Sequence, residues 1–302
     1  MQKPVALLLL AFGIGCGENV DSQPNGPQRI IATSGALTEI VYALGRGHEV
    51  VGVDSTSRWP DGVRDKPSIG YVRKLSPEGI LSLSPSLVIS SADAGPPTAL
   101  TTLEDAGLHI VSVPGERLDR SIPALRERVR GVAKVLGKQD EGERLLGAID
   151  RDLARAKKTV EGRPSVRVLF LFGANPMRLV AAGRSTGAQE IFDLLGVENV
   201  CADLERFQPI SAESLVEKAP DVILIGLHER GGGVALGEIP GLAETPAGKA
   251  GRVALVDPFR ALTGSPRIMQ AVLEFGELLH PDVEWPTFES TALLAEATRP
   301  RG

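Results

Sequence analysis

Tyr71 and Arg73 stand two residues apart in the run Ile69-Gly70-Tyr71-Val72-Arg73-Lys74-Leu75-Ser76-Pro77-Glu78-Gly79. A phenolate is a hard anionic donor suited to a ferric ion, yet a phenol ordinarily keeps its proton at neutral pH. A bound metal ion and a neighbouring guanidinium would both favour the ionised form. In extended backbone, residues two apart share a face, so Arg73 can present its guanidinium beside Tyr71. The other tyrosine, Tyr42, falls inside an apolar helical pattern and reads as core.

The four histidines are scattered at His48, His109, His228 and His280. His48 follows a helix stop, His109 begins a buried strand and His280 ends a C-terminal helix, so these three read as structural or surface residues. His228 follows the apolar strand Val222 to Ile225 and could reach a cleft, because open α/β sheets bind ligands beyond their strand C-termini. Such a distribution does not make a Zn or Mn site, which wants clustered His and carboxylates. Met177, in Asn175-Pro176-Met177, is a soft ligand or, more simply, the wall of a pocket. Arginine suits carboxylates through its fork of donors, and Arg184, Arg206, Arg260 and Arg267 flank strands of the second half. No G-x-G-x-x-G opens a helix, and neither a P-loop nor a G-x-S-x-G turn is present, so an exported α/β enzyme is disfavoured.

The elements that must position these residues form a repeat. Arg29-Ile-Ile-Ala32 reads as a buried strand, Thr33 to Gly45 as a helix with a Gly stop, Ser76 as an N-cap with Pro77 after it, Leu87 to Ser90 as a strand, Thr98 to Ala106 as a helix and His109 to Val113 as a strand. The order recurs. Val166 to Phe172 is an apolar strand, and Glu190-Ile191 and Gly196 repeat Glu39-Ile40 and Gly45. Ser211, Glu213 and Pro220 repeat Ser76, Glu78 and Pro85, and Gly251 to Pro258 repeats Gly107 to Pro114. Alternating strands and helices, twice over, predict a duplicated parallel-sheet lobe. Between the copies, Leu118 to Gly162 is helical, with Gly137 separating a helix ending near Leu136 from a longer one over Gln139 to Val160. A connector of this kind holds two lobes at nearly constant spacing, unlike a flexible linker.

Composition narrows the class. A chain of 302 residues favours two domains, and a net charge of −5 with a pI near 5.6 argues against nucleic acid as a partner. Val5 to Ile14 is an apolar run behind Lys3, too short to span a bilayer and suited to a signal peptide. It ends in Gly13-Ile14-Gly15-Cys16, similar to a lipobox apart from Gly13, so Cys16 is expected to carry lipid. Cys201 then has no partner and reads as a small buried residue. The expected boundaries are 1–16 signal peptide, 17–28 tether, 29–118 first lobe, 119–162 helical connector and 163–302 second lobe.

Two matching α/β lobes, a helical connector and an export signal resemble the helix-linked class of periplasmic binding proteins, which serve ABC importers of heme, vitamin B12 and ferric siderophores. The run around Tyr71 resembles the hemin-binding branch, as do Leu179 to Thr186 and Thr245 to Val253. The resemblance implies an α/β fold of two Rossmann-like lobes joined by a long α-helix. It also implies a transport role rather than catalysis, with heme as the transported ligand, Tyr71 as iron ligand and Arg73 bonded to its oxygen. Arg73, Met177, Arg184 and Arg267 are expected to support the heme pocket. Glu78 and Glu213 are implied to dock on the permease dimer, although a glutamate in a first turn also complements the helix dipole. The location implied is the periplasm, with a lipid anchor on Cys16. Vitamin B12 or a ferric siderophore remains the alternative, a siderophore being disfavoured because it wants aromatic walls and aromatics are scarce (two Tyr, two Trp, eight Phe).

Overall fold

The computed structural model describes residues 28–113, 119–173, 175, 178–227 and 236–299. Cys16, the signal-peptide segment, Met177 and His228 lie outside the described residues.

The first half contains β1 (Ile30–Ala32), α1 (Gly35–Ala43), β2 (Val50–Val53), the hairpin β3 (Gly70–Tyr71) and β4 (Lys74–Leu75), α2 (Pro77–Ser82), β5 (Leu87–Ser90), α3 (Pro97–Asp105) and β6 (Ile110–Ser112). Its sheet is parallel, in the order β2-β1-β5-β6. The connector is α4 (Ile122–Leu136) and α5 (Gln139–Thr159). The second half contains β7 (Arg167–Phe172), β8 (Leu179–Ala182), α6 (Gly187–Leu195), β9 (Glu198–Asn199), β10 (Phe207–Ile210), α7 (Ala212–Glu217), β11 (Val222–Gly226), α8 (Pro246–Lys249) and β12 (Val253–Val256). It closes with α9 (Pro258–Leu262), α10 (Ile268–Leu279) and α11 (Glu289–Ala297).

The repeat read in the sequence is visible in the pairing. The parallel neighbours β9, β7, β11 and β12 reproduce the order β2-β1-β5-β6, while β8 and β10 add antiparallel strands. Strand parity then divides the cores, because successive side chains point to opposite faces. Val168, Phe170, Val222 and Leu224 enter one cluster and Leu169, Leu171, Ile223 and Ile225 another. In the first half Ile30, Ala32, Leu87 and Ile89 likewise separate from Ile31 and Val88.

The larger cluster is shared. It runs from Ile30 and Leu37 through Val129 and Ile149 in the connector to Phe170, Phe192 and Phe275, so one apolar core spans both halves. Gly137, at φ 63°, ends α4 in the left-handed region and reverses the chain. The two connector helices then run antiparallel, bridged by Arg126–Asp150 at 2.5 Å and Arg130–Glu143 at 2.7 Å. Helix α4 packs on α1, whereas the longer α5 packs on α6, α10 and α11. Each half thereby receives one connector helix.

Asp152 of α5 is fully buried and caps α11. It accepts from Glu289 N–H at 3.1 Å, Ser290 N–H at 2.7 Å and Ser290 Oγ–H at 2.7 Å. Asp152→Ala leaves buried donors without a partner and is expected to cost about 3 kcal/mol, read as a lower urea midpoint at unchanged slope. A loss below about 1 kcal/mol would show that this cap carries little.

One local expectation is corrected. β6 is a half-exposed edge strand and His109 beside it is exposed, not the start of a buried strand. Ile110 and Val111 pack against the two clusters on opposite faces of the sheet, yet both stay half-buried because β6 is the outer strand, paired only with β5 among the described residues.

Candidate functional site

A cleft of about 730 Å³ opens between the two halves, beyond the C-terminal ends of β1, β5 and β7. Parallel strands end together on one side, so loops leaving them converge there. Ser34 to Leu37, Ser55, Arg58 and Ser91 line it from the first half, and Phe172, Ser185 to Gly187, Arg206, Phe207 and Phe259 from the second.

Tyr71 lies on this cleft, as does Arg73. Three backbone bonds hold their hairpin: Ser55 N–H to Gly70 O at 2.8 Å, Gly95 N–H to Val72 O at 2.9 Å and Leu75 N–H to Gly95 O at 2.9 Å. Gly70 has φ 95°, and a Cβ there would stand 2.7 Å from Lys74 O, so the turn requires glycine. Val72 points inward and is buried, whereas Tyr71 is 45% exposed and Arg73 is exposed. The ring therefore does not pack on the sheet. It is presented.

Among the described residues, five arginines line the cleft, Arg58, Arg73, Arg120, Arg128 and Arg206, against a single carboxylate, Asp93. Asp93 pairs with Arg120 at 2.9 Å. Arg128 is buried at the root of α4 and donates to Asp119 O at 2.8 Å and Gly264 O at 2.9 Å. Burial and the neighbouring Arg120 lower its pKa to about 10, which still leaves it charged at neutral pH. Arg58 projects from the loop after β2, where buried Asp54 accepts from Ser57 Oγ–H at 2.8 Å and Thr56 Oγ–H at 2.7 Å. Its guanidinium crosses to the second half, 4.6 Å from the Phe259 ring centroid. Arg206 adopts φ 61°, the left-handed backbone that concentrates at functional positions. Counted back five residues from the matching caps Ser76 and Ser211, Tyr71 and Arg206 are counterparts on facing walls.

Two expected pocket residues lie elsewhere. Arg267 is buried in an ion pair with Glu39, 2.8 Å away, behind the cleft rather than in it. Arg184 is exposed and pairs with Glu205 at 2.6 Å, while its neighbour Ser185 takes the place on the wall. In both cases a carboxylate brought close by the fold occupies the guanidinium. His48 stands half-exposed near Glu49, and His280 is buried with Nε2 3.1 Å from Leu195 O. Neither lines the cleft. Cys201 is fully buried, its thiol pushed up to about 11 by burial. Tyr42 packs at the margin of the shared core.

Arg58, Arg120, Arg128, Phe172, Phe207 and Phe259 were missed by sequence reasoning. Phe172 and Phe207 are 45% and 37% exposed and tilt against each other at 5.5 Å. A signal for Phe172 exists, since it ends β7 where the sheet meets the cleft. Scarcity of aromatics in the whole chain was a poor guide: four of them, Tyr71, Phe172, Phe207 and Phe259, stand on this one surface. The argument from composition against aromatic walls therefore falls.

Glu78 and Glu213 sit at the second position of α2 and α7, both exposed. The caps behave alike, Ser76 Oγ accepting from Gly79 N–H at 3.1 Å and Ser211 Oγ from Ser214 N–H at 3.0 Å. Neither glutamate forms an ion pair with a described residue.

Residues 30–258 match the model of the family described as "Periplasmic binding protein". Among solved structures, the chain is 37% identical to the periplasmic heme-binding protein RhuT from Roseiflexus sp. RS-1, covering 85% of this chain and 99% of that one with a TM-score of 0.75. It is 26% identical to the uncharacterized ABC transporter substrate-binding lipoprotein YvrC of Bacillus subtilis, over 85% of this chain and 81% of the relative. It is also 29% identical to a vitamin B12-binding protein of Pectobacterium carotovorum, over 66% of this chain and 71% of that protein.

Proposed function

Because this chain belongs to the periplasmic binding protein family, serving as the substrate-binding component of an ABC transporter, we propose that its cargo is heme, captured in the cleft and delivered to the permease. Tyr71 is the iron ligand, and the cleft arginines receive the propionates. Cys16 carries the lipid that tethers the protein to a membrane, and Glu78 and Glu213 contact the permease, one from each half.

The observation that supports this reading is the convergence, among the described residues, of one exposed phenol and five guanidiniums, with one carboxylate, on a single cleft. Ferric heme bears two carboxylates and an open axial position, so both donor types meet a partner. Phe172 and Phe207 offer an apolar face to the macrocycle on the wall opposite the hairpin. Cobalamin is the second reading, favoured by the similarity to a B12-binding protein. Its corrin side chains are neutral amides and its nucleotide loop carries one phosphodiester, which leave most of the clustered guanidiniums without charge compensation.

Side-by-side titration with hemin, hemin dimethyl ester and cobalamin tests the choice. Hemin should bind at least about tenfold more tightly than its ester, since charge-assisted bonds to carboxylates contribute about 1.5–3 kcal/mol each. Cobalamin binding more tightly than hemin would overturn the heme reading and leave the family role intact.

A further inference from the structure

Glu39 of α1 and Arg267 at the N-cap of α10 are 228 residues apart and join the two halves through Arg267 Nη2–H to Glu39 Oε1 at 2.8 Å. Both side chains are almost wholly buried. Burial pushes the Glu39 carboxyl above its usual range, against the pull of Arg267. The Trp59 ring lies 5.7 Å from the guanidinium, and Asp257 approaches its other nitrogen at 4.0 Å. The adjacent Arg58 sits over Phe259 of the second half. Together these contacts form a polar seam, with α1 and the loop through Arg58 and Trp59 on one side and α9 and the start of α10 on the other.

The seam lies directly behind the cleft. Leu37 and Thr263, both on the cleft wall, are near neighbours of Glu39 and Arg267 in the chain. The shared core behind it is apolar, and apolar contact is non-directional. A buried ion pair contributes little net stability, because desolvation offsets its attraction, but it is directional. Its repeat counterpart, Glu190, accepts from Ile122 N–H at 3.4 Å, at the start of α4, so this second joint is a single backbone bond and the buried ion pair belongs to Glu39.

We propose that Glu39 and Arg267 are positioning residues for the ligand cleft: their bond holds the wall that carries Tyr71 at a set distance from the wall that carries Phe172 and Phe207. The ligand arm of the test rests on the heme reading, and the exchange arm does not. Wild type, Glu39→Gln and the apolar pair Glu39→Leu with Arg267→Met are compared by thermal melting, amide hydrogen exchange and hemin dissociation rate. The apolar pair is expected to melt at or above the wild-type temperature, as such replacements often do. Both variants should nevertheless exchange faster in α1, the Arg58–Trp59 loop and the start of α10, and release hemin about tenfold faster as the competent spacing loses population. If Glu39→Gln does not fold, the apolar pair alone carries the test. Wild-type exchange and wild-type hemin release in the folded apolar pair would overturn the proposal. Wild-type protein that binds no hemin would sink the heme reading, and the exchange comparison would still decide this one.

Discussion

Tyr71→Phe is expected to abolish the ferric-tyrosinate absorption of the hemin complex and to weaken hemin binding by about 100-fold or more, since the group lost is the proposed iron ligand and outer-shell losses alone cost 10–100-fold. The substitution removes one oxygen from a ring that is already 45% exposed, so the fold should be untouched. The hairpin is held by backbone bonds of Ser55, Val72, Leu75 and Gly95, none of which involves the ring. Tyr71→His supplies a different ligand from the same place and should restore much of the affinity with an altered spectrum. Absorption spectroscopy during titration measures both. An unchanged spectrum and affinity in Tyr71→Phe would remove Tyr71 from the iron and require another donor on the cleft.

Reversing charge at both Glu78 and Glu213 is expected to reduce heme uptake through the cognate permease by about 100-fold or more, because close charge pairs at protein interfaces couple by about 1.5–7 kcal/mol. Binding of hemin to the isolated protein should not change, since neither residue lines the cleft. Stability should change little: an acidic residue in an exposed first turn is worth about 0.3–1 kcal/mol through the helix dipole. Each single reversal should give an intermediate loss, because the two helices are separate contact points. Transport in proteoliposomes carrying the permease, with hemin affinity measured in parallel, separates docking from capture. Full uptake by the Glu78→Lys, Glu213→Lys double variant would reduce both glutamates to helix-dipole partners.

Tyr71 and the pair Glu78 and Glu213 were singled out in the sequence by different routes, and their roles are proposals. Tyr71 was singled out because the run Gly70 to Gly79 resembles the hemin-binding branch, with Arg73 on a shared face and Ser76 as a helix cap, whereas the left-handed turn at Gly70 came from the structure. Glu78 and Glu213 were found by matching one half of the chain to the other, which works because a cap and the turn behind it occupy a short run of sequence. Arg267 and Arg184 show where this kind of reading stops. Arg184 follows β8 and Arg267 follows β12 beyond α9, on the side where the cleft lies, yet Glu205 and Glu39 claim their guanidiniums.

What the sequence determined by itself was everything written at short range: strands and helices through their periods, starts and stops through Ser76, Ser211, Gly137 and Gly196, and the duplication through their recurrence. Strand parity carried that information into the cores, so the division of Leu169 and Phe170 between two clusters was already implicit. Tertiary structure alone decided which of many arginines line the cleft and which are held away from it by a carboxylate. It also gathered Arg58, Arg120, Arg128, Phe172 and Phe207 around one cleft. The physical reason is distance along the chain. A guanidinium is satisfied by whatever acceptor folding brings near, and for Arg267 that acceptor lies 228 residues away, beyond any pattern that neighbouring residues can record.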